Sequence, residues 1–459
     1  MTVEGQGHDR DGGAWAQRFV DLTERRYIPL LIVSLALGVA FRLLLVWATT
    51  SPSDPLNHLY PGYTDGAEYL DNAQSLVETG VYGYGGRPSA FRPPAYPFFM
   101  ALSLRLLGES LTPIRIMQIG MFVAMAVIYC AVAARYFGRA AGILAAAFLS
   151  IYPLFAFMTT EIATECLYML LESAVFVLSL ALLRPEVHPG KRTWLAFFAG
   201  LICGAGILTR PNMFIVFLFL MALIVVGGLW RRRGWRAWLL PALGLAIGTY
   251  VVLIPWMSRN DRRFGTPVIT TNVYYNLFRG TFDLVEGIPQ GTSIFAIFRN
   301  HRVVYEAEIE NVCVKRLSLG ELESERNARG AALAIIRADP RGWLWQRIRN
   351  TAYLWLNLQW DSDILHRGPI VLFAAISVTL IYYFLLVGAL LGSLSLWRSP
   401  QESRQRVFVA VAWSYMAAAT PTVLTFVGKR YRVSMIDPYL ALLACAGLAG
   451  WLRRRRQDH

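Results

Sequence analysis

The chain has 459 residues, 55% of them hydrophobic, a mean hydropathy of +0.42 and a formal net charge of +14. Several runs reach the roughly 20 apolar residues that cross a hydrocarbon core, which excludes an ordinary soluble domain. The basic residues lie in short clusters between apolar runs rather than in one patch, as membrane topology demands, so nucleic acid is not an expected partner.

In chain order, residues 1–26 are polar, lack the layout of a cleavable signal and read as a disordered cytoplasmic tail. The first span covers about Tyr27–Ala48. A polar loop follows, and Pro94–Leu107 reads as a short amphipathic helix at the membrane surface. The next spans are about Ile114–Tyr136, Ala140–Phe157, Glu161–Leu183, Trp194–Leu208, Met213–Trp230 and Ala237–Trp256. A long polar segment, 258–367, ends in Trp343, Trp345, Trp355 and Trp360 mixed with Arg341, Arg347 and Arg349. That mixture suits a helix in the headgroup plane better than a crossing one. The last spans are Ile370–Trp397, Val407–Val427 and Ile436–Trp451.

The expected fold is therefore an all-α polytopic membrane protein with about ten transmembrane helices and juxtamembrane helices on one side. It divides into a tail at 1–26, a transmembrane module at 27–257 that includes a loop at 49–111, a second loop with the interfacial helix at 258–367, and the C-terminal spans and basic tail at 368–459. Tight arginine clusters follow the even-numbered spans and place those turns in the cytoplasm. The loops at 49–111 and 258–367 then share the outer side. Cys130, Cys166, Cys203, Cys313 and Cys445 are scattered and form no disulfide or zinc pattern.

The chemistry is concentrated in residues 63–96. Asp65, with Glu68 three residues on, matches a capping box, so Asp65 reads as an N-cap, as a catalytic carboxylate, or as both, since a cap fixes a carboxylate in place. Glu161 and Glu165 open a span. Glu161 fits the helix dipole, whereas Glu165 lies about a turn deeper, where a carboxylate is expensive unless paired or functional. Arg210 marks a helix break and reads as interfacial snorkelling or as anion binding. Arg259, Arg262 and Arg263, and Lys429, Arg430 and Arg432, breach the arginine bias on the side of Asp65, which points to a shared anionic ligand such as a phosphate. Asp361, Ser362, Asp363 and His366 carry a weak oxygen-plus-imidazole pattern that does not establish a metal site. No Walker loop, dinucleotide fingerprint, nucleophile elbow or HExxH motif occurs, so no cofactor is expected.

Asp65, Tyr69 and Ala73, followed by Arg92, Pro93, Pro94 and Pro97, resemble the first outer loop of bacterial protein-mannosyltransferase-like enzymes. These belong to the glycosyltransferase-C superfamily, alongside the lipid A aminoarabinose transferases. The runs TEIATECLYMLL, GILTRPN, IPWMSRNDRRFGTPVITTNVYYNLFRG and RYRVSMIDPYL extend the likeness from about Ala40 to Leu440. Gly66 stands where the family often has a second acidic residue, and Ser434 where a proline is expected.

The resemblance implies a bacterial inner-membrane glycosyltransferase that takes sugar from a polyprenyl-phosphate donor on the outer face. The acceptor would be a lipid, a glycan or a protein. Asp65 falls at the family's catalytic aspartate; Glu68, Tyr69, Arg92, Glu165, Arg210, Arg259, Arg262, Lys429, Arg430 and Arg432 are the candidate substrate-binding residues. Two other readings use the same residues: a flippase or transporter of a lipid-linked sugar, and a scaffold or polymer-ligating protein that binds a glycan through Arg279, Glu286 and the second loop.

Overall fold

The computed structural model describes residues 7–49, 65–230, 234–281, 320–357, 369–398, 403–425 and 429–457. The calls on Cys313, Glu286, Trp360, Asp361, Asp363 and His366 lie outside them. The helices in chain order are α1 Gly7–Arg25, α2 Tyr27–Thr49, α3 Asp65–Thr79, α4 Ala95–Leu107, α5 Thr112–Phe137, α6 Arg139–Ile151, α7 Pro153–Thr160, α8 Glu165–Leu182, α9 Pro189–Thr209 and α10 Met213–Trp230. There follow α11 Arg236–Phe264, α12 Val273–Thr281, α13 Glu321–Ala338, α14 Pro340–Leu356, α15 Pro369–Arg398, α16 Ser403–Ala417, α17 Lys429–Met435 and α18 Asp437–Gln457.

Among the described residues seven helices are long and apolar enough to cross a membrane, or eight if the bent pair α6–α7 counts as one span. The expected ten is not reached, because α10 is short and the apolar part of α18 stops between Asp437 and Arg453. Such a stretch rises only about 22 Å, short of the ~30 Å hydrocarbon core. The N-terminal segment is also not the structureless tail expected. From Gly7 it forms a helix whose Ala16, Val20 and Thr23 are buried, and Trp15 meets Trp451 of the last helix at 6.2 Å. Positions spaced by three and four residues give α1 one buried stripe.

Helix association relies on glycine where backbones touch. A Cβ on Gly200 would lie 2.2 Å from the Leu245 carbonyl oxygen, and one on Gly248 would lie 2.2 Å from that of Phe197. With Gly204 and Gly244, these form two facing small-xxx-small ridges that lock α9 against α11, the packing favoured where lipid supplies no hydrophobic drive between helices. Gly248→Val is therefore expected to lower the detergent melting temperature, at a cost of about 1–3 kcal/mol from overpacking. Gly227→Ala, with open space around it, should leave the melt unchanged in fluorescence-detected size exclusion.

The third predicted span breaks by 53° between α6 and α7, at Tyr152 before Pro153, where a continuing helix would lose a hydrogen bond and clash. Three buried side chains satisfy the carbonyls freed at its ends. Arg42 donates through Nη1 to Ser150 O at 2.8 Å and through Nη2 to Leu149 O at 3.2 Å, with its guanidinium 3.6 Å from the Phe122 ring. At the far end of α7, Arg115 Nε donates to Thr160 O at 2.8 Å, and Gln118 Nε2 donates to Thr159 O and Glu161 O at 3.1 and 2.8 Å. Unpaired backbone groups are costly at membrane depth, so these donors are what permits the bend, and the bend is what delivers Glu161 and Glu165 to the start of α8.

The two long polar segments meet. Thr271 N donates to Ala90 O at 3.0 Å, and Thr270 Oγ1 donates to Phe91 O at 2.6 Å. Glu321 Oε2 accepts from Ala90 N and Thr271 Oγ1, and the Glu325 carboxylate caps α12 by accepting from Tyr274 N and Tyr275 N at 2.8 and 3.1 Å. Between α3 and α4, two-residue strands Gly83–Tyr84 and Arg87–Pro88 pair around Gly85–Gly86. Both glycines have positive φ, 54° and 80°, as a type I′ hairpin turn requires. A helix, α14, forms where the Trp- and Arg-rich run predicted one. Its Arg347 is buried and donates to Val423 O at 2.8 Å and to Gly280 O, and Trp355 Nε1 donates to Thr420 Oγ1 at 3.0 Å.

Candidate active site

Helix α3 begins at Asp65, with its carboxylate at the polar end of the bundle. Oδ1 accepts from Arg92 Nη2 at 2.5 Å, and Oδ2 pairs with Arg430 Nη2. Arg92 also donates through Nε to Glu68 Oε2 at 2.6 Å, and its guanidinium lies 5.3 Å from the Tyr69 ring. Glu68 and Tyr69 are buried, and Tyr69 meets Tyr96 edge-to-face at 5.3 Å. Arg92 is thus held by two carboxylates and an aromatic face, and its visible work is to fix one oxygen of Asp65. Arg430 differs, with 47% of its side chain exposed against 17% for Arg92.

A second carboxylate stands behind the first. Glu165, the first residue of α8, is buried, and its Oε1 accepts from Arg210 Nη1 at 2.9 Å and lies 3.7 Å from Arg430 Nε. Arg430 therefore bridges Asp65 and Glu165. Arg210 is the C-cap of α9, at the break before Pro211, and its guanidinium lies 4.8 Å from the Tyr431 ring and 5.5 Å from the Tyr168 ring. The break that read as a candidate anion site is what turns this arginine inward.

The other candidates are placed differently. Arg259 donates to Ser89 O and Tyr82 O, both at 2.7 Å, and lies over Trp256 at 4.8 Å, so it clamps the first loop to the end of α11. Arg262 is exposed on the last turn of that helix. Arg432 is buried among the spans, its Nε 3.5 Å from Asp437 Oδ1 and its guanidinium 4.1 Å from the Tyr382 ring. Lys429 begins α17, and its side chain lies outside the described set. Sequence reasoning left out Tyr168 and Tyr431 as supports for Arg210, and set Arg279 aside although its charge acts on Asp65. Ser434 Oγ donates to Arg430 O at 2.8 Å, so the serine in place of proline joins the turn that carries the bridging arginine.

The electrostatics follow the geometry. Burial on its own would raise the Asp65 carboxyl, but Arg92 and Arg430 outweigh it and hold it well below the usual carboxylate range. Asp65 in turn raises Arg430. Glu161, between α7 and α8, goes the other way. Burial first and neighbouring Glu165 second push its carboxyl up to about 7 from the ordinary 4.5. The folded chain thus binds this proton more tightly than the unfolded chain. That stabilisation is complete below about pH 4.5 and is lost as pH rises through about 7. Melting temperatures measured from pH 4.5 to 8 should fall more steeply for wild type than for Glu161→Gln, and parallel curves would remove Glu161 from the titration.

No group of three or more His, Cys, Asp or Glu side chains suited to a metal occurs among the described residues. What the site presents is an anchored, ionised carboxylate beside a half-exposed arginine, a set suited to an uncharged hydroxyl next to an anion.

Part of the chain has a counterpart in known sequences. Residues 91–257 match the dolichyl-phosphate-mannose-protein mannosyltransferase family. The likeness to protein-mannosyltransferase-like enzymes of the glycosyltransferase-C superfamily is therefore borne out, although the matched region begins after Asp65. No curated protein sequence matches the chain. Among solved structures, the fold is similar to the oligosaccharyltransferase AglB of Archaeoglobus fulgidus. Its complex with an inhibitory peptide and a dolichol-phosphate aligns over 94% of this chain and 51% of that one, at 14% identity and a TM-score of 0.50. The apo form aligns over 93% and 51%, at 13% identity and a TM-score of 0.52. This chain thus spans about half the length of those enzymes. ArnT from Cupriavidus metallidurans bound to undecaprenyl phosphate aligns over 90% of this chain and 77% of that one, at 15% identity and a TM-score of 0.37. At this identity the alignments show a shared helical membrane fold with AglB.

Proposed function

We propose that this protein transfers a sugar from a polyprenyl-phosphate donor to a hydroxyl acceptor on the outer face of the bacterial cytoplasmic membrane, with inversion at the anomeric carbon. The observation that carries the reading is the division of labour around Asp65. One oxygen is fixed by buried Arg92, while the other is held by half-exposed Arg430, which is also within reach of Glu165. The family match supports sugar chemistry, and the dolichol-phosphate in the AglB complex supports a lipid phosphate as the leaving group.

In the reaction the acceptor oxygen attacks the anomeric carbon, the bond from that carbon to the phosphate oxygen breaks, and the acceptor proton leaves. While both arginines hold it, Asp65 is too weak a base to take that proton, because an effective general base titrates near the working pH. When a donor phosphate arrives, Arg430 turns to it and releases Oδ2. That oxygen then orients the acceptor hydroxyl and receives its proton, while Arg430 and Arg210 stabilise the charge gathering on the departing phosphate. No metal is needed for the charge balance, and the acceptor is drawn from lipid, glycan or protein hydroxyls.

The test is mass spectrometry of polyprenyl-phosphate lipids and envelope glycans in cells with the gene intact, deleted and carrying Asp65→Asn. Accumulation of one lipid-linked sugar with loss of that sugar from one glycan supports transfer and names both substrates. A change only in the membrane side on which the lipid-linked sugar is found would make the protein a flippase.

A further inference from the structure

Along α8, Glu165, Glu172 and Ser179 recur every seven residues, and all three are buried. One stripe of an apolar span therefore carries polar groups from the active-site end toward the membrane interior, about 10 Å per step. Glu172 is 0% exposed, and its Oε1 accepts from Tyr168 Oη at 3.4 Å, a long contact. Its Oε2 has no hydrogen-bond partner, and among the described residues no ion pair includes Glu172. The phenol oxygens of Tyr129 on α5 and Tyr439 on α18 are likewise buried. They neighbour Glu172 and lie within reach of each other, their rings 5.9 Å apart and both packed on Phe176.

Three buried oxygens from three helices thus converge at membrane depth, the Glu172 Oε2 among them without a partner. An unpaired carboxylate there is costly and avoids the cost by taking a proton. A buried water requires two to four polar partners, and this set supplies two phenol groups and one carboxyl oxygen. We propose that Glu172 binds a proton and, with Tyr129 and Tyr439, encloses an ordered water that ties α5, α8 and α18 together. This site adjoins the Asp65 centre through Tyr168, which donates to Glu172 and lies against Arg210, but it does not depend on the transferase reading.

Infrared difference spectroscopy on the full-length protein in lipid nanodiscs tests it, comparing wild type with Glu172→Gln in H2O and D2O. The expected result is a protonated-carboxyl C=O band that shifts in D2O and is missing from Glu172→Gln, with Tyr129→Phe and Tyr439→Phe each moving it. If Glu172→Gln fails to fold, the two tyrosine variants still carry the test. A carboxylate band in place of the acid band would overturn the proposal, as would an acid band that neither tyrosine variant moves. Sodium or potassium chloride raising the melting temperature of wild type but not of Glu172→Gln would also overturn it, in favour of a bound cation.

Discussion

Asp65→Asn should abolish sugar transfer while leaving a folded, membrane-inserted protein. The expected loss in turnover is about 10²–10⁴-fold, the usual scale for a positioned acid or base. The fold survives because each arginine around Asp65 keeps a second carboxylate: Arg92 keeps Glu68 at 2.6 Å, and Arg430 keeps Glu165 at 3.7 Å. The amide retains an oxygen for Arg92 but loses the charge that binds and then accepts the hydroxyl proton. The measurement is transfer from a synthetic polyprenyl-phosphate sugar by purified protein, with a melting curve beside it. Full activity with an unchanged melt would reduce Asp65 to an ion-pair partner of Arg92 and Arg430 with no part in the chemistry. Because Arg92 and Arg430 hold its carboxyl well below the usual range in the free enzyme, ionisation of Asp65 should not limit kcat/KM across the ordinary acid range.

Glu165→Ala should be the more damaging change to the molecule. Removing this buried carboxylate leaves Arg210 without its partner in a site where its own side chain is 11% exposed. Breaking a buried pair from one side costs about 3–5 kcal/mol, because the remaining charge stays desolvated. The same change frees Arg430 from one of its two anchors, so transfer should fall with stability. Glu165→Gln separates the two effects. It keeps an oxygen for Arg210 and most of the fold, but it removes the charge that aims Arg430, so KM for the lipid-phosphate donor should rise more than the melting temperature falls. A Glu165→Gln enzyme with wild-type KM would mean that Glu165 supports the helix junction and nothing more.

Much of this was legible in the chain before any coordinates. The apolar runs between arginine clusters set the helical class, because the hydrocarbon core demands stretches of that length and sequesters charge at its edges. Glu165 stood out as a carboxylate inside the start of an apolar span, and Asp65 as the head of a capping box in the first polar loop. Arg210 was marked by Pro211 beside it. The facing glycine pairs Gly200–Gly204 and Gly244–Gly248, and the seven-residue recurrence of Glu165, Glu172 and Ser179, were equally readable and were passed over.

Tertiary structure decided which arginines serve the site. Arg92, Arg259, Arg430 and Arg432 look alike as basic residues near span ends. Burial gives Arg432 to Asp437, backbone carbonyls take Arg259, Glu68 and Asp65 fix Arg92, and only Arg430 is left half-exposed across two carboxylates. It reaches Asp65 from 365 positions along the chain, a separation no local pattern encodes. The position of Glu165 likewise depends on Arg42, Arg115 and Gln118 satisfying a broken span, a capping arrangement made across helices. Sequence alone determined a membrane-embedded helical protein with its chemistry at the ends of its spans, because solvent transfer acts residue by residue. The pairing of its charges was left to packing, because an arginine's role depends on which oxygen lies within about 3 Å of it.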